Sequence, residues 1–143
     1  RIEEIITRLS RVGFDNTIGY LKGGFEAWIA ENREIDSIHS ISAADFEKEV
    51  TENHLPVFDV RKEGEFSSGH LDIANHVCLS GINEHLAEFP KDKNFYVHCA
   101  GGYRSVIAAS ILKMRGYHNF TDIAGGFGAI KTTNLSIVES VVA

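Results

Sequence analysis

The stretch Phe95-Tyr96-Val97-His98-Cys99-Ala100-Gly101-Gly102-Tyr103-Arg104-Ser105 constrains the fold of this chain more than any other. An apolar run leads straight into a cysteine, three small residues follow, and a long apolar segment comes next. The first run reads as a buried parallel strand. The segment Arg104 to Arg115 carries Val106, Ile107, Ala108, Ala109, Ile111, Leu112 and Met114 and reads as a helix buried all round, ended by Gly116. The cysteine then sits at the C-terminal end of a strand and at a helix N-terminus. Open α/β sheets bind ligands at that edge.

The rest of the chain alternates in the same way. Ile2, Ile5, Ile6, Leu9 and Val12 fall at helical spacing over residues 2–12, with Gly13 as a stop. A β-like run, Thr17 to Leu21, and a polar linker, Ala30 to Ser37, follow. Ser42 with Asp45 three positions on predicts a capped helix over 43–51. Pro56 to Val60 reads as a buried strand, and Ile82, Leu86 and Phe89 as a short helix ended by Pro90. Phe120 to Ile123 is a further strand. In the tail, Ile137, Val138, Val141 and Val142 share one helical face over 134–142. Strands alternating with helices predict an α/β fold with a parallel sheet.

A repeat bears on the domain count. Leu9, Gly13-Phe14-Asp15-Asn16 and Gly23-Gly24-Phe25-Glu26-Ala27-Trp28 resemble Leu112, Gly116-Tyr117-His118-Asn119 and Gly125-Gly126-Phe127-Gly128-Ala129-Ile130 in order and type. Gly13 and Gly116 are 103 positions apart, Gly24 and Gly126 102. Two tandem copies of roughly 100 residues, an ordinary domain size, explain this. Residues 1–36 are then expected to be the C-terminal remnant of a preceding copy plus linker, and 37–143 one complete domain.

The bulk numbers exclude some classes. With 43% hydrophobic and 24% charged residues the chain has the composition of a folded domain. A net charge of −6 without a basic run disfavours nucleic acid and acidic membrane as partners. No stretch approaches membrane-spanning length. Cys78 and Cys99 are too few for a disulfide framework, and two free thiols fit a reducing, cytoplasmic setting.

The cysteine loop carries the chemistry. Only the thiolate of cysteine is strongly nucleophilic. Ala100, Gly101 and Gly102 let several backbone N–H groups converge on one centre as an anion nest, and the helix dipole adds positive character. Arg104 supplies a permanent charge and a planar fork of donors. The expectation is a lowered pKa for Cys99 and a site for an anionic group on its sulfur. Ser105 either caps the helix or donates to the sulfur. Tyr103 either lines the mouth or is a plain loop aromatic.

The run Val57-Phe58-Asp59-Val60-Arg61, then Glu63, Glu65-Phe66, Gly69-His70-Leu71 and Ala74, resembles the strand-and-loop signature of the rhodanese (sulfurtransferase) family. His98 to Ser105 resembles that family's active-site loop, and Gly116-Tyr117 with Gly125-Gly126-Phe127 its closing strand and turn. The resemblance spans about residues 40–130. It implies a five-stranded parallel sheet with helices on both faces. It also implies a persulfide on Cys99, loaded from thiosulfate or a low-molecular-weight persulfide and discharged to a thiol or cyanide. Asp59 and Arg61 match positions that support the loop. A catalytically silent docking module is the alternative. Cysteine phosphatases share part of the fold, but their loops have one residue more; the Cys-x4-Arg spacing here and Ser105 at the next position suit sulfur.

The tandem pattern is further similar to the C-terminal part of fusions between a metallo-β-lactamase-fold persulfide dioxygenase and rhodanese domains. That likeness implies no cofactor within these residues and an iron or zinc site in a domain preceding Arg1, while the unpartnered apolar stripe over residues 2–12 implies packing against a neighbouring domain or a homodimer. His70, His76 and Cys78 have no common metal-site spacing. His98, on a strand, is expected to point away from the pocket.

Overall fold

A computed structural model describes residues 1–11, 13 and 15–140. It divides into two compact units, Arg1–Ser37 and Ile38–Ala143.

In the first unit, α1 (Ile2–Ser10) and α2 (Gly24–Ala30) are the regular elements. Ile2, Ile5, Ile6 and Leu9 form the expected stripe on α1, and all are exposed. Val12 and Phe14, part of the stripe and the repeat, lie outside the described residues. The expected strand at 17–21 does not form; residues 15–20 have no regular structure. A strand needs a neighbour to satisfy its backbone, and this unit supplies none among its described residues.

The second unit is built on a parallel five-stranded sheet. In chain order its elements are β1 (Ser40–Ile41), α3 (Ala43–Asn53), β2 (Val57–Asp59), α4 (Glu63–Ser67), β3 (His70–Leu71), β4 (Ala74–His76), β5 (Phe95–His98), α5 (Tyr103–Met114), β6 (Phe120–Ile123), α6 (Gly126–Ile130) and β7 (Ile137–Val138). The sheet order is β1-β6-β5-β2-β4. Strand alternation divides the core. Phe58, Val60, Phe95, Val97 and Phe120 pack with Ala108, Ala109 and Leu112 of α5. Val57, Tyr96 and Ile123 pack on the other face with Phe46 and Val50 of α3 and Phe127 and Ile130 of α6. The fold is therefore the expected α/β sheet with helices on both faces. Ser42 caps α3 as its spacing predicts, accepting from the Asp45 amide at 3.1 Å.

Three local expectations are corrected. The segment around Ile82 and Leu86 forms two 3-10 turns, Leu79–Gly81 and Leu86–Glu88, rather than an α-helix. Ser80, Gly81 and Asn83 favour turns, while Ile82 and Phe89 still reach the core. Helix α5 is not buried all round: Ser105, Ala108, Ala109 and Leu112 face inward, while Val106, Ile107 and Met114 are exposed. Small residues on the inner face let it lie close to the sheet, so the larger ones face outward. The tail helix is absent from the described residues. Ile137 and Val138 instead pair antiparallel with Leu71 and His70, and the Ser140 amide donates to Ser67 O. Two adjacent β-branched residues are stiff in a helix and fit a strand. Val141 and Val142 lie outside the described residues.

Candidate active site

β5 delivers Cys99 at the C-terminal edge of the sheet, between β2 and β6. The chain then turns through Ala100, Gly101 and Gly102 into α5. Gly102 is the N-cap residue of that helix, with φ +105, a region side chains rarely adopt. Ser105 is thus not at the N-cap position; its hydroxyl donates to Gly102 O at 3.2 Å.

The first half of the loop is held from behind. The Phe127 amide donates to Cys99 O at 2.6 Å and the Gly128 amide to Ala100 O at 2.9 Å. Gly126 makes this approach possible, because a Cβ there would lie 2.3 Å from Cys99 O. The second half is open: a Cβ on Gly101 would meet nothing within 4 Å, and Tyr103 is 82% exposed.

Cys99 itself is 1% exposed. The Gly102 amide donates to its Sγ at 3.2 Å. Burial pushes the thiol pKa up. The amides of Ser105, Gly102 and Gly101 and the Ser105 hydroxyl outweigh this, so it falls below the ordinary value. A lowered pKa means more thiolate at neutral pH. The rate of Cys99 alkylation by iodoacetamide is therefore expected to rise with pH through a midpoint below that of free cysteine under the same conditions. A midpoint at or above the free thiol would contradict the nest.

Arg104 has a partner of its own. Its guanidinium grips Glu65 of α4 in a two-point pair, Nη1 to Oε2 at 2.5 Å and Nη2 to Oε1 at 2.8 Å. The pair pulls the Glu65 carboxyl from 4.5 to about 2. Glu65 also accepts from the Lys62 amide at 3.3 Å, closing the first turn of its own helix, α4. In the sequence Glu65 stands out only as part of the strand-and-loop signature, with nothing to pair it with Arg104. Its one signal was its place on the segment leaving β2 at the active edge.

Asp59 and Arg61 form a buried clamp beneath the site. Arg61 Nε and Nη2 donate to Asp59 Oδ2 at 2.8 and 2.6 Å, and Nη2 donates to Gly69 O at 2.8 Å. The guanidinium stacks 3.9 Å from the Phe127 ring centroid, and Phe127 backs the loop. The Val60 amide donates to His98 O, joining β2 to the base of the loop. His98 is buried beside Asp59 and Phe127, and that burial lowers its pKa. His70 bonds locally, its Nδ1 2.8 Å from Phe66 O, and Phe66 stacks on His70 and His76 rather than entering the core. Both cysteines are free thiols, with Cys78 Sγ 3.2 Å from Ser80 Oγ. Among the described residues no group of three or more His, Cys, Asp or Glu could hold a metal, and no helix is long and apolar enough to cross a membrane.

A cleft of about 460 Å³ opens beside the loop, lined by Arg61, Glu65, Ala100, Phe127, Lys131 and Glu139 among others. The tail strand contributes one wall through Ile137.

Together these features define a class: parallel α/β domains that hold a cysteine in a backbone-amide cradle at the C-terminal edge of the sheet. The rhodanese-like domain profile matches residues 42–133, and the chain belongs to that family. It is 32% identical over 88 residues to a sulfurtransferase of Allochromatium vinosum, across 62% of this chain and 81% of that protein. It is 34% identical over 71 residues to the uncharacterized protein YqhL of Bacillus subtilis, across 50% of this chain and 56% of that one. The chain spans about half the length of the relatives YqhL and YrkF. A solved rhodanese-related protein from Thermoplasma volcanium aligns with a TM-score of 0.63 at 29% identity, covering 70% of this chain and 97% of that one. The family and its sulfurtransferase relatives connect the chain with sulfur transfer in general terms.

Proposed function

We propose that this domain moves sulfane sulfur through a persulfide on Cys99, from thiosulfate or a low-molecular-weight persulfide to a thiol or cyanide. The observation that carries the reading is the convergence of the Gly101, Gly102 and Ser105 amides on a buried sulfur. The same donors suit the outer sulfur anion of a persulfide, held in a water-poor cradle where each hydrogen bond is worth more than in bulk. Thiolate attack on the donor's outer sulfur forms the S–S bond and releases sulfite from thiosulfate. Attack by the acceptor on that sulfur returns the electron pair to Cys99. Ala100 to Ser105 form the cradle, and Asp59 with Arg61 holds it in place.

The test is intact mass after incubation with thiosulfate. A gain of one sulfur atom, mapped to the Cys99 peptide and lost on cyanide treatment, is expected. No adduct with any sulfane donor would leave the silent docking module as the better reading.

We also infer that residues 1–36 close a preceding copy and that 37–143 are the complete one. Local backbone geometry supports this: Gly23 and Gly24 have φ of +86° and +64°, Gly125 and Gly126 +78° and +54°, and each pair opens a short helix. The Phe25 and Glu26 amides, counterparts of Phe127 and Gly128, have no acceptor among the described residues. In the full-length parent they are expected to meet the carbonyls of the preceding copy's loop. Hydrogen exchange should then be fast at Phe25 and Glu26 in residues 1–143 alone and slow in the parent. Equal rates in both would sink the inference. The resemblance of the loop extends this reading to a fusion with a metallo-β-lactamase-fold persulfide dioxygenase, whose metal site lies outside these residues.

A further inference from the structure

Arg104 is the one charged residue within the loop Cys99–Ser105. It directly precedes Ser105, whose amide donates to the Cys99 sulfur, so the backbone of Arg104 stands at the rim of the cradle. Its guanidinium is taken at two points by Glu65 of α4, at 2.5 and 2.8 Å. The hold on that guanidinium comes first from Glu65 and in lesser part from the charge of Cys99, so the cation and the sulfur lie within electrostatic reach of each other. Glu65, with its pKa at about 2, is ionised wherever a thiol reacts. Both side chains of the pair are partly exposed, at 28% and 38% for Arg104 and Glu65, so their charges also act on a molecule arriving from solvent. The only cation of the loop is therefore cancelled by a fixed anion just as the donor approaches.

We propose that Glu65 determines which sulfur donor loads Cys99: by neutralising Arg104 it favours donors carrying at most one negative charge, organic persulfides and thiosulfonates with an uncharged organic group, over the dianion thiosulfate. The assignment rests on the Cys99 persulfide reading above and names its donor class. The attacking group is itself an anion, so an incoming donor is repelled in proportion to its own charge, and an unpaired cation at the rim offsets that repulsion in the same proportion. With Arg104 already paired, the offset is withheld, and a dianion forfeits twice what a monoanion does. Chemistry is the same for both donors. The Cys99 thiolate attacks the outer sulfur and forms the new S–S bond. The donor's own bond to that sulfur breaks with its electron pair leaving on sulfite from thiosulfate, or on a sulfinate from a thiosulfonate. Total charge is unchanged, and no other oxidant or reductant takes part.

The experiment compares the rates at which thiosulfate and methanethiosulfonate load Cys99 at low salt, followed by intact mass. The two deliver the same sulfur and differ by one charge. Glu65→Gln keeps an acceptor for Arg104 and removes the opposing charge. It is expected to speed methanethiosulfonate about threefold and thiosulfate about tenfold, because one field acts on one charge and on two. The thiosulfate-to-methanethiosulfonate ratio then rises about threefold, and the rise shrinks as salt is added. Arg104→Met leaves Glu65 unopposed and is expected to lower that ratio about threefold. The double variant, lacking both charges, returns the ratio to that of the natural pair. Each ratio is taken on one protein sample, so a partly unfolded fraction cancels, and the two single variants test the assignment independently. If the pair only braces the loop, both donors change together in every variant. An unmoved ratio, or one that falls in Glu65→Gln, overturns the donor assignment while the persulfide itself stands. Failure of both donors to load the natural protein is a different result: it removes the persulfide reading and this proposal with it.

Discussion

Cys99→Ser is expected to reduce sulfur loading to nothing measurable while leaving the fold intact. The loss follows from the atom. A serine hydroxyl is scarcely ionised near neutral pH, and no hydrogen-bond cradle of this kind brings it into range without an adjacent base. His98 is not placed to be that base: its ring is buried, with Nδ1 3.2 Å from the Cys99 carbonyl oxygen and Nε2 3.9 Å from Asp59, and burial makes it a weaker base. The fold survives because the substitution is nearly isosteric and the Gly102 amide, now on Cys99 Sγ, can donate to an oxygen in its place. Intact mass after thiosulfate, with the unfolding midpoint measured alongside, checks both halves. A Cys99→Ser protein that still gains sulfur would move the nucleophile elsewhere, with Cys78 the one other thiol.

The second large effect falls on stability. Asp59→Ala is expected to cost about 3–5 kcal/mol, because it strands the Arg61 guanidinium without its counter-ion in a buried place. Arg61 is 4% exposed and its guanidinium donates to the Asp59 carboxylate three times. The Phe127 stack and Gly69 O remain, and neither neutralises the charge. Urea unfolding measures the loss. Adding Arg61→Met should recover much of it, since an apolar pair of similar bulk replaces an orphaned ion. If the single variant loses less than about 1 kcal/mol, an ordinary surface effect, the clamp is not what holds the loop's foundation.

Much of the site was readable in the chain because it is local. A strand, a cysteine, three small residues and a helix follow one another directly, so their order alone puts Cys99 at the sheet edge. The Ser42 cap is equally local. What escaped was long-range or short. Glu65 and Arg104 are 39 positions apart, and nothing in either segment says that they meet. Glu139 comes to line the cleft through the tail, where β7 pairs with β3. That strand has two residues, too few to show a period of two, so the spacing of Ile137, Val138, Val141 and Val142 read as a helix. The outward face of α5 was misread for a different reason. A sequence counts apolar residues, whereas close packing here selects small ones, Ala108 and Ala109, and turns Val106, Ile107 and Met114 outward. The order of the sheet depends on which strands meet and leaves no mark on any one of them.

The uneven grip on the cysteine loop has a consequence for how such a site can change. Gly126 rests against Cys99 O, and the amides after it fasten Cys99 and Ala100, so that stretch has a fixed length. Further along, a Cβ on Gly101 would meet nothing within 4 Å and Tyr103 is exposed, so the chain is least constrained there. An inserted residue, as a wider loop for a tetrahedral anion requires, has a single point of entry. A lineage or a designer seeking a different reaction from this scaffold would have to lengthen it there, and the thiol would stay where it is while its ring of donors widened around it.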